Sequence, residues 1–146
     1  MSADIALEEF PARTSDKIRY GDTDRQGHVN NAVFATFLET GRVEILHGPG
    51  GSLADPGGAF VIARLVLDFR SEVTWPGEVA IGTRVASIGR SSVKLEQTIF
   101  QNGKCVATAE TTIVQMDETT RRSRPLSSQA RERLRAFSGP ARRSEP

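Results

Sequence analysis

The chain has a single cysteine, Cys105, so no internal disulfide framework holds it together and a reducing cytoplasm is its expected setting. As a lone thiol, Cys105 reads as a small core residue. There are only two histidines, His28 and His47, and no cysteine cluster. A metal centre is therefore not expected, even though Asp22, Asp24 and His28 lie close enough in sequence to be considered as ligands. No stretch approaches the roughly 18–20 apolar residues of a membrane span. Residues 1–13, with Asp4, Glu8 and Glu9, lack the basic-then-apolar order of a secretory signal. The formal net charge is +1, which gives no general attraction to nucleic acid or to a membrane surface. Arginines do gather late in the chain, at Arg121, Arg122 and Arg124 and again at Arg131, Arg133, Arg135, Arg142 and Arg143. They read as a solvated face and tail, with an anionic cofactor or partner as the alternative.

What is present is about one domain's worth of chain, 146 residues, enough to bury a core without staples. Residues 1–13 read as a loose arm, 14–137 as a single domain and 138–146 as a flexible tail. Thr14 to Tyr20 reads as a short first strand. Asn30 or Asn31 then caps a helix of about four turns, in which Phe34, Leu38, Gly41 and Ile45 recur at helical spacing. Gly41 costs on the order of 1 kcal/mol inside a helix, so something is expected to pack closely against it. His47-Gly48-Pro49-Gly50-Gly51 ends the helix and opens a loop over 48–58.

From Ala59 the period becomes two, with Val61, Ala63, Leu65, Leu67 and Phe69 expected on one face of a strand. A turn at Trp75-Pro76-Gly77-Glu78, a second at Gly89-Arg90-Ser91 and a tight hairpin at Asn102-Gly103 separate three further strands. Ser127 then caps a short helix reaching Leu134 and Phe137. The pattern is α+β: a five-stranded antiparallel sheet, one long helix and a short C-terminal helix. One helix leaves sheet edges and one sheet face uncovered, which favours self-association through the sheet.

The densest chemistry lies in Tyr20-Gly21-Asp22-Thr23-Asp24-Arg25-Gln26-Gly27-His28-Val29-Asn30-Asn31. If the long helix starts at Asn30 or Asn31, the amides of Gly27, His28, Val29, Asn30 and Asn31 lie at or near a helix N-terminus. Unpaired N–H groups and the macrodipole there favour a developing negative charge. Asp24, three residues before Gly27, is positioned to activate water or attack a carbonyl at the same point. Asp22 reads as a loop-bonding residue and one of the asparagines as the cap. His28 is either a base or substrate contact or a loop residue satisfying its neighbours. Glu39 and Arg42, at i,i+3 spacing, are expected to form a salt bridge.

Tyr-Gly-Asp-Thr-Asp followed by Gly-His-Val-Asn-Asn-Ala resembles the acyl-CoA thioesterases of the 4-hydroxybenzoyl-CoA thioesterase type, which have the hotdog fold. The resemblance extends over Asp16 to Leu134. It includes Val-Leu-Asp-Phe at 66–69, Ile-Gly-Arg-Ser-Ser at 88–92 and the closing Asp117, Thr120-Arg121 and Pro125-Leu126. It implies a five-stranded sheet wrapped around one central helix, with Asp24 as the catalytic carboxylate and the amides from Gly27 to Asn31 polarising a thioester carbonyl. It also implies a site between subunits of a homodimer or homotetramer, with Arg90, Ser91 and Ser92 candidates for the route of the CoA arm. A solvated turn is the alternative for those three.

Arg25 and Gln26 depart from the smaller or apolar residues frequent in that family, at positions that the resemblance implies border the acyl pocket. The expected activity is hydrolysis of an acyl-CoA or acyl carrier protein thioester, without a metal or redox cofactor. The alternatives are a hotdog hydratase or dehydratase, disfavoured by the short Asp24-to-His28 spacing, and a non-catalytic acyl-thioester binding protein.

Overall fold

The computed structural model describes residues 5–139. The elements run β1 (Ala12–Ile18), α1 (Asn31–Leu46), β2 (Gly58–Phe69), β3 (Gly77–Ile88), β4 (Ser92–Gln101), β5 (Lys104–Asp117) and α2 (Ser128–Arg135). The strands form one antiparallel sheet in the order β1-β3-β4-β5-β2. The chain therefore leaves β1 at one edge, passes beneath the sheet as α1 and returns at the other edge as β2. This is the α+β hotdog arrangement, with α2 as the short C-terminal helix.

Alternation places Val79, Ile81, Thr83 and Val85 of β3 and Leu95, Gln97 and Ile99 of β4 in the interior. Phe34, Phe37, Leu38, Gly41 and Ile45 of α1 are buried with them. The core has two parts. One gathers Val29, Phe34, Phe37 and Leu38 at the start of α1. The other joins Ile45 and Leu46 at its end to Leu126 and Leu134.

The lateral position of α1 is set by β1. Thr40 donates to Asp16 at 2.9 Å and Thr14 donates to Glu44 at 3.2 Å. At about 3.6 residues per turn the opposite flank carries Asn31, Ala35 and Arg42, and it looks along the inner surface towards β5 and β2. The close packing expected at Gly41 is present, since a Cβ there would lie 2.7 Å from Gln97 Nε2 and from Ile81 Cγ2.

Several expectations need correction. The first strand is Ala12–Ile18, not residues 14–20, and the arm before it is not loose: Phe10 is 2% exposed. Its ring lies on Gly82, where a Cβ would come within 2.5 Å of it, and makes an edge contact with Phe100 at 6.5 Å. A side chain at 82 would displace this ring, which is why the sheet is bare there. Phe10→Ala is expected to cost about 3 kcal/mol, read as a lower denaturation midpoint at unchanged slope. An unaltered midpoint would mean the arm contributes nothing.

In β2 a register shift between Ile62 and Arg64 breaks the simple alternation. Ile62 pairs with Ile113 and Leu65 with Thr111, both buried on the helix side, so Phe60 and Ile62 share that face with Leu65 and Leu67, and Val61 does not. Cys105 is half-buried rather than a core residue.

Of the late arginines, Arg121, Arg122 and Arg135 are exposed as expected, whereas Arg124, Arg131 and Arg133 fasten loops. Arg124 reaches Asp55 and Asp117, each at 3.6 Å, and the Pro56 carbonyl at 3.0 Å. Arg131 donates to the carbonyls of Gly89 and Arg90, and Arg133 to that of Gly51. Arg142 and Arg143, with the rest of the expected tail from residue 140 on, lie outside the described residues.

Candidate active site

Between β1 and α1 the chain makes a short hairpin-like loop whose hydrogen bonds define each polar group's role. Asp22 is 5% exposed. Its carboxylate accepts from the Arg19 amide at 2.9 Å and from the Arg19 guanidinium at 3.0 Å, and its carbonyl accepts from the Asn30 amide at 2.8 Å. Asp22 therefore ties the end of β1 to the start of α1, the loop-bonding role expected of it.

Asp24 is exposed. Its amide donates to the His28 carbonyl at 2.8 Å, and its carbonyl accepts from Gly27 at 3.1 Å, a turn closed by Gly27 at φ +84°. Its Oδ1 accepts from the amides of Gln26 at 2.8 Å and His28 at 3.3 Å. One carboxylate oxygen is thus anchored, which fixes the side chain's direction. Oδ2 has no hydrogen-bond partner among the described residues.

The five amides of the candidate oxyanion site divide unequally. Gly27 and His28 donate to Asp24, Val29 to the Val73 carbonyl at 2.8 Å and Asn30 to the Asp22 carbonyl. Asn30 is the cap, its Oδ1 accepting from Ala32 at 3.0 Å. That leaves Asn31, the first helical residue, whose amide has no acceptor among the described residues. Within one chain the same loop carries Asp24, with Oδ2 unpartnered, and ends in a single free amide at the positive end of a 16-residue helix.

His28 does not sit against Asp24 through its ring. Its Nε2 lies 3.0 Å from Glu72 Oε2, and its backbone bridges to Thr74. Gln101 clamps the same segment from below, accepting from the Thr74 amide at 3.1 Å and donating to the Thr74 carbonyl at 2.8 Å. Glu72 and Gln101 carry no motif that marks them in the sequence.

Arg90, Ser91 and Ser92 are not near Asp24 in the same chain. Gly77, at the start of β3, pairs with Ile18 beside the site, whereas residues 89–91 follow Ile88 at the strand's far end. Twelve residues of β3 separate them, about 36–40 Å at roughly 3.3 Å per residue. The turn is packed against the C-terminal segment: the Arg90 carbonyl accepts from Leu126 and Arg131, and the Ser91 carbonyl from Gln115.

The expected Glu39–Arg42 bridge is absent, since no ion pair joins them among the described residues. Glu39 faces solvent, while Arg42 lies on the inward flank with its Nη1 buried and unpartnered. Burial lowers the Arg42 pKa, and the nearby Glu39 charge opposes that shift without reaching contact.

Among the described residues no three His, Cys, Asp or Glu side chains gather as a metal site, and no helix is long and apolar enough to cross a membrane.

Comparison with known proteins agrees with this fold. A sequence profile described as "Thioesterase-like superfamily" matches residues 18–134. The chain is 30% identical over 113 residues to an acyl-acyl carrier protein thioesterase, described as chloroplastic, of Arabidopsis thaliana, covering 74% of this chain. It spans only 60% of that relative's length. A thioesterase of Thermus thermophilus, crystallised with coenzyme A and Zn, superposes with a TM-score of 0.76 at 32% identity over 90% of this chain and 96% of that one. The PA5185 protein of Pseudomonas aeruginosa superposes with a TM-score of 0.80 at 25% identity over 93% and 97% of the two chains.

Proposed function

Because the chain belongs to the thioesterase-like superfamily, we propose that it hydrolyses an acyl thioester to a free acid and a thiol, with Asp24 as the reacting carboxylate and the Asn31 amide as the oxyanion donor. The observation that carries this reading is the pairing of a carboxylate held by one oxygen with an unsatisfied helix-terminal amide in the same loop. A thioester carbonyl docked on the Asn31 N–H is polarised, and the tetrahedral intermediate places its negative charge where the helix dipole is positive. One such donor is worth about 3–4 kcal/mol in other enzymes.

Asp24 Oδ2 then acts in one of two ways. It adds to the acyl carbon and expels the thiolate, leaving a mixed anhydride that water cleaves. Otherwise it takes a proton from water as the water adds, and the thiolate leaves from the resulting intermediate. Acid and thiol are the products of both routes. The carriers named for the two relatives, coenzyme A and acyl carrier protein, support an acyl-CoA or acyl-acyl carrier protein substrate here. A cytoplasmic setting belongs to the same proposal and rests on the lone cysteine. The test is free-thiol release from a panel of acyl-CoAs and acyl carrier protein thioesters, short to long and aromatic. Binding without turnover on every member would replace hydrolysis by a non-catalytic carrier role.

The proposal includes a second copy of the chain. β2 is a 12-residue strand with one unpaired edge, and Ile62 and Phe69 on its inner face are 50% and 51% exposed. Edge-to-edge pairing of β2 about a two-fold axis sets the Phe69 end of one copy beside the Gly58 end of the other. Arg90 of the partner subunit then lies at the same end as Asp24, which reconciles the separation found within one chain. Sedimentation at micromolar concentration is expected to give a dimer or tetramer of the 15.9 kDa chain. Arg90→Ala is expected to raise KM for an acyl-CoA several-fold with little change in kcat. A monomer with full activity would end the shared-site reading.

A further inference from the structure

Gln97 and Thr111 are 1% and 0% exposed on the sheet face that packs on α1, and each holds a polar atom with no partner: Gln97 Oε1 and Thr111 Oγ1. Arg42 Nη1 is the third such atom among the described residues. Native interiors leave few groups of this kind, and each is costly unless something fills it.

Topology draws the three to one place. Gln97 Nε2 donates to the Leu38 carbonyl and to Thr83 Oγ1 on β3, both at 3.0 Å. These bonds fix the amide's orientation and turn Oε1 away from β3, towards β5. On β5 Thr111 pairs with Leu95, two residues along β4 from Gln97, so Thr111 and Gln97 are diagonal neighbours on the inner face. Arg42 stands one helical turn beyond Leu38, on the flank of α1 that looks towards β5 and β2. That flank begins at Asn31, whose free amide marks the proposed thioester position.

We infer that Arg42, Gln97 and Thr111 form a polar subsite deep along α1 from the proposed thioester position, and that it recognises a hydroxyl group on the acyl chain. The inference rests on the acyl-thioester reading above. Donor and acceptor accounting selects the hydroxyl. Arg42 Nη1 can only donate, Gln97 Oε1 can only accept, and Thr111 Oγ1 can do either. A hydroxyl donates to Gln97 while accepting from Arg42 or Thr111. A carboxylate meets the Gln97 oxygen with repulsion, and a methyl group leaves all three atoms unpaired.

The depth follows from the helix. Asn31 and Leu38 are seven residues apart, about 10 Å at roughly 1.5 Å per residue. An extended chain advances roughly 1.3 Å per carbon, given bonds of about 1.5 Å, so the hydroxyl sits about eight carbons from the thioester.

Calorimetry with non-hydrolysable CoA thioether analogues of decanoyl length, one hydroxylated near the chain end and one plain, tests this without turnover. Wild type is expected to bind the hydroxylated analogue at least tenfold more tightly, since a site with buried polar groups rejects a ligand that leaves them unpaired. Thr111→Val, which keeps the volume, and Arg42→Met are each expected to bring the ratio of the two affinities close to 1. Equal binding of the two analogues by wild type overturns the inference. So does a ratio that survives in both variants while both affinities fall in parallel, or dissociation of the oligomer by Arg42→Met, which would place a partner's group on that guanidinium. Hydroxyl discrimination in binding by a protein that hydrolyses no thioester would leave the subsite standing and remove the proposed reaction. Turnover without discrimination would do the reverse.

Discussion

Replacing Asp24 by asparagine is expected to lower kcat by about a thousandfold or more while KM stays within a few-fold. That corresponds to about 4 kcal/mol of transition-state stabilisation at roughly 1.4 kcal/mol per factor of ten. Asparagine is the informative substitution because the Asp24 carboxylate has two separable tasks. Oδ1 accepts the amides of Gln26 and His28 and so shapes the loop. A carboxamide oxygen can do the same, so the Asn31 amide stays where it is and the substrate is bound as before. Only the second oxygen, with its charge and lone pairs, is lost. Alanine removes both tasks and lets the loop relax, mixing a chemical defect with a geometric one.

Asp22→Asn provides the contrast. It removes the charge that faces Arg19 from a residue 5% exposed, with its carboxylate 3.0 Å from the guanidinium. Its main effect is expected on stability. Thiol release under saturating substrate, with circular dichroism as a control for folding, separates the two cases. An Asp24→Asn enzyme that turns over like wild type would remove Asp24 from the chemistry.

The loop also illustrates what a sequence discloses and what it withholds. Asp22 is legible as a loop-bonding residue, and residue type narrows the cap to Asn30 or Asn31, between which the structure chooses Asn30. The proposed oxyanion donor is not separable. Five consecutive amides, Gly27 to Asn31, look equivalent in sequence, and only the acceptors supplied by Asp24, Val73 and Asp22 reduce them to Asn31. Val73 is far from the loop in the chain, so no local pattern reveals it.

The same holds for the strands. Period two locates β2 but assigns Val61 to the wrong face, because a register shift of one residue near Ala63 leaves no signature in a run of apolar side chains. Phe10 reads as part of a loose arm because its seat is the bare backbone of Gly82, a space visible only once β3 lies beside the arm. Gln97 carries a usable signal: an amide in an otherwise apolar, inward-facing alternation marks a polar group with a partner or a task. Spacing assigns Arg42 to Glu39, whereas helix placement against β1 turns it inward.

Gly41 yields the second large effect, because two opposed contributions must be weighed. Alanine in place of a mid-helix glycine ordinarily stabilises by about 1 kcal/mol. Here the new Cβ would stand 2.7 Å from Ile81 Cγ2, 2.7 Å from Gln97 Nε2 and 2.9 Å from Thr83 Oγ1. None of these can yield easily. Ile81 and Thr83 are β-branched, stiff at χ1 and buried at 0% and 1% exposure. Gln97 is bound to the Leu38 carbonyl and to Thr83, so moving its amide breaks two buried hydrogen bonds. Overpacking of this kind costs about 1–3 kcal/mol, and three contacts under 3.0 Å place this site at the upper end of that range. Set against a gain of about 1 kcal/mol, Gly41→Ala is expected to destabilise by about 1–2 kcal/mol net, and Gly41→Val by more.

The alternative to compression is that α1 lifts from the sheet, and that movement carries the Asn31 amide with it. Displacement of a catalytic donor by about 1 Å can cost up to a hundredfold in rate, so kcat is expected to fall together with the denaturation midpoint. A Gly41→Ala protein that is more stable than wild type would show that the helix stands further from the sheet than these contacts require. The same result would remove the packing that holds Gln97 beneath Leu38.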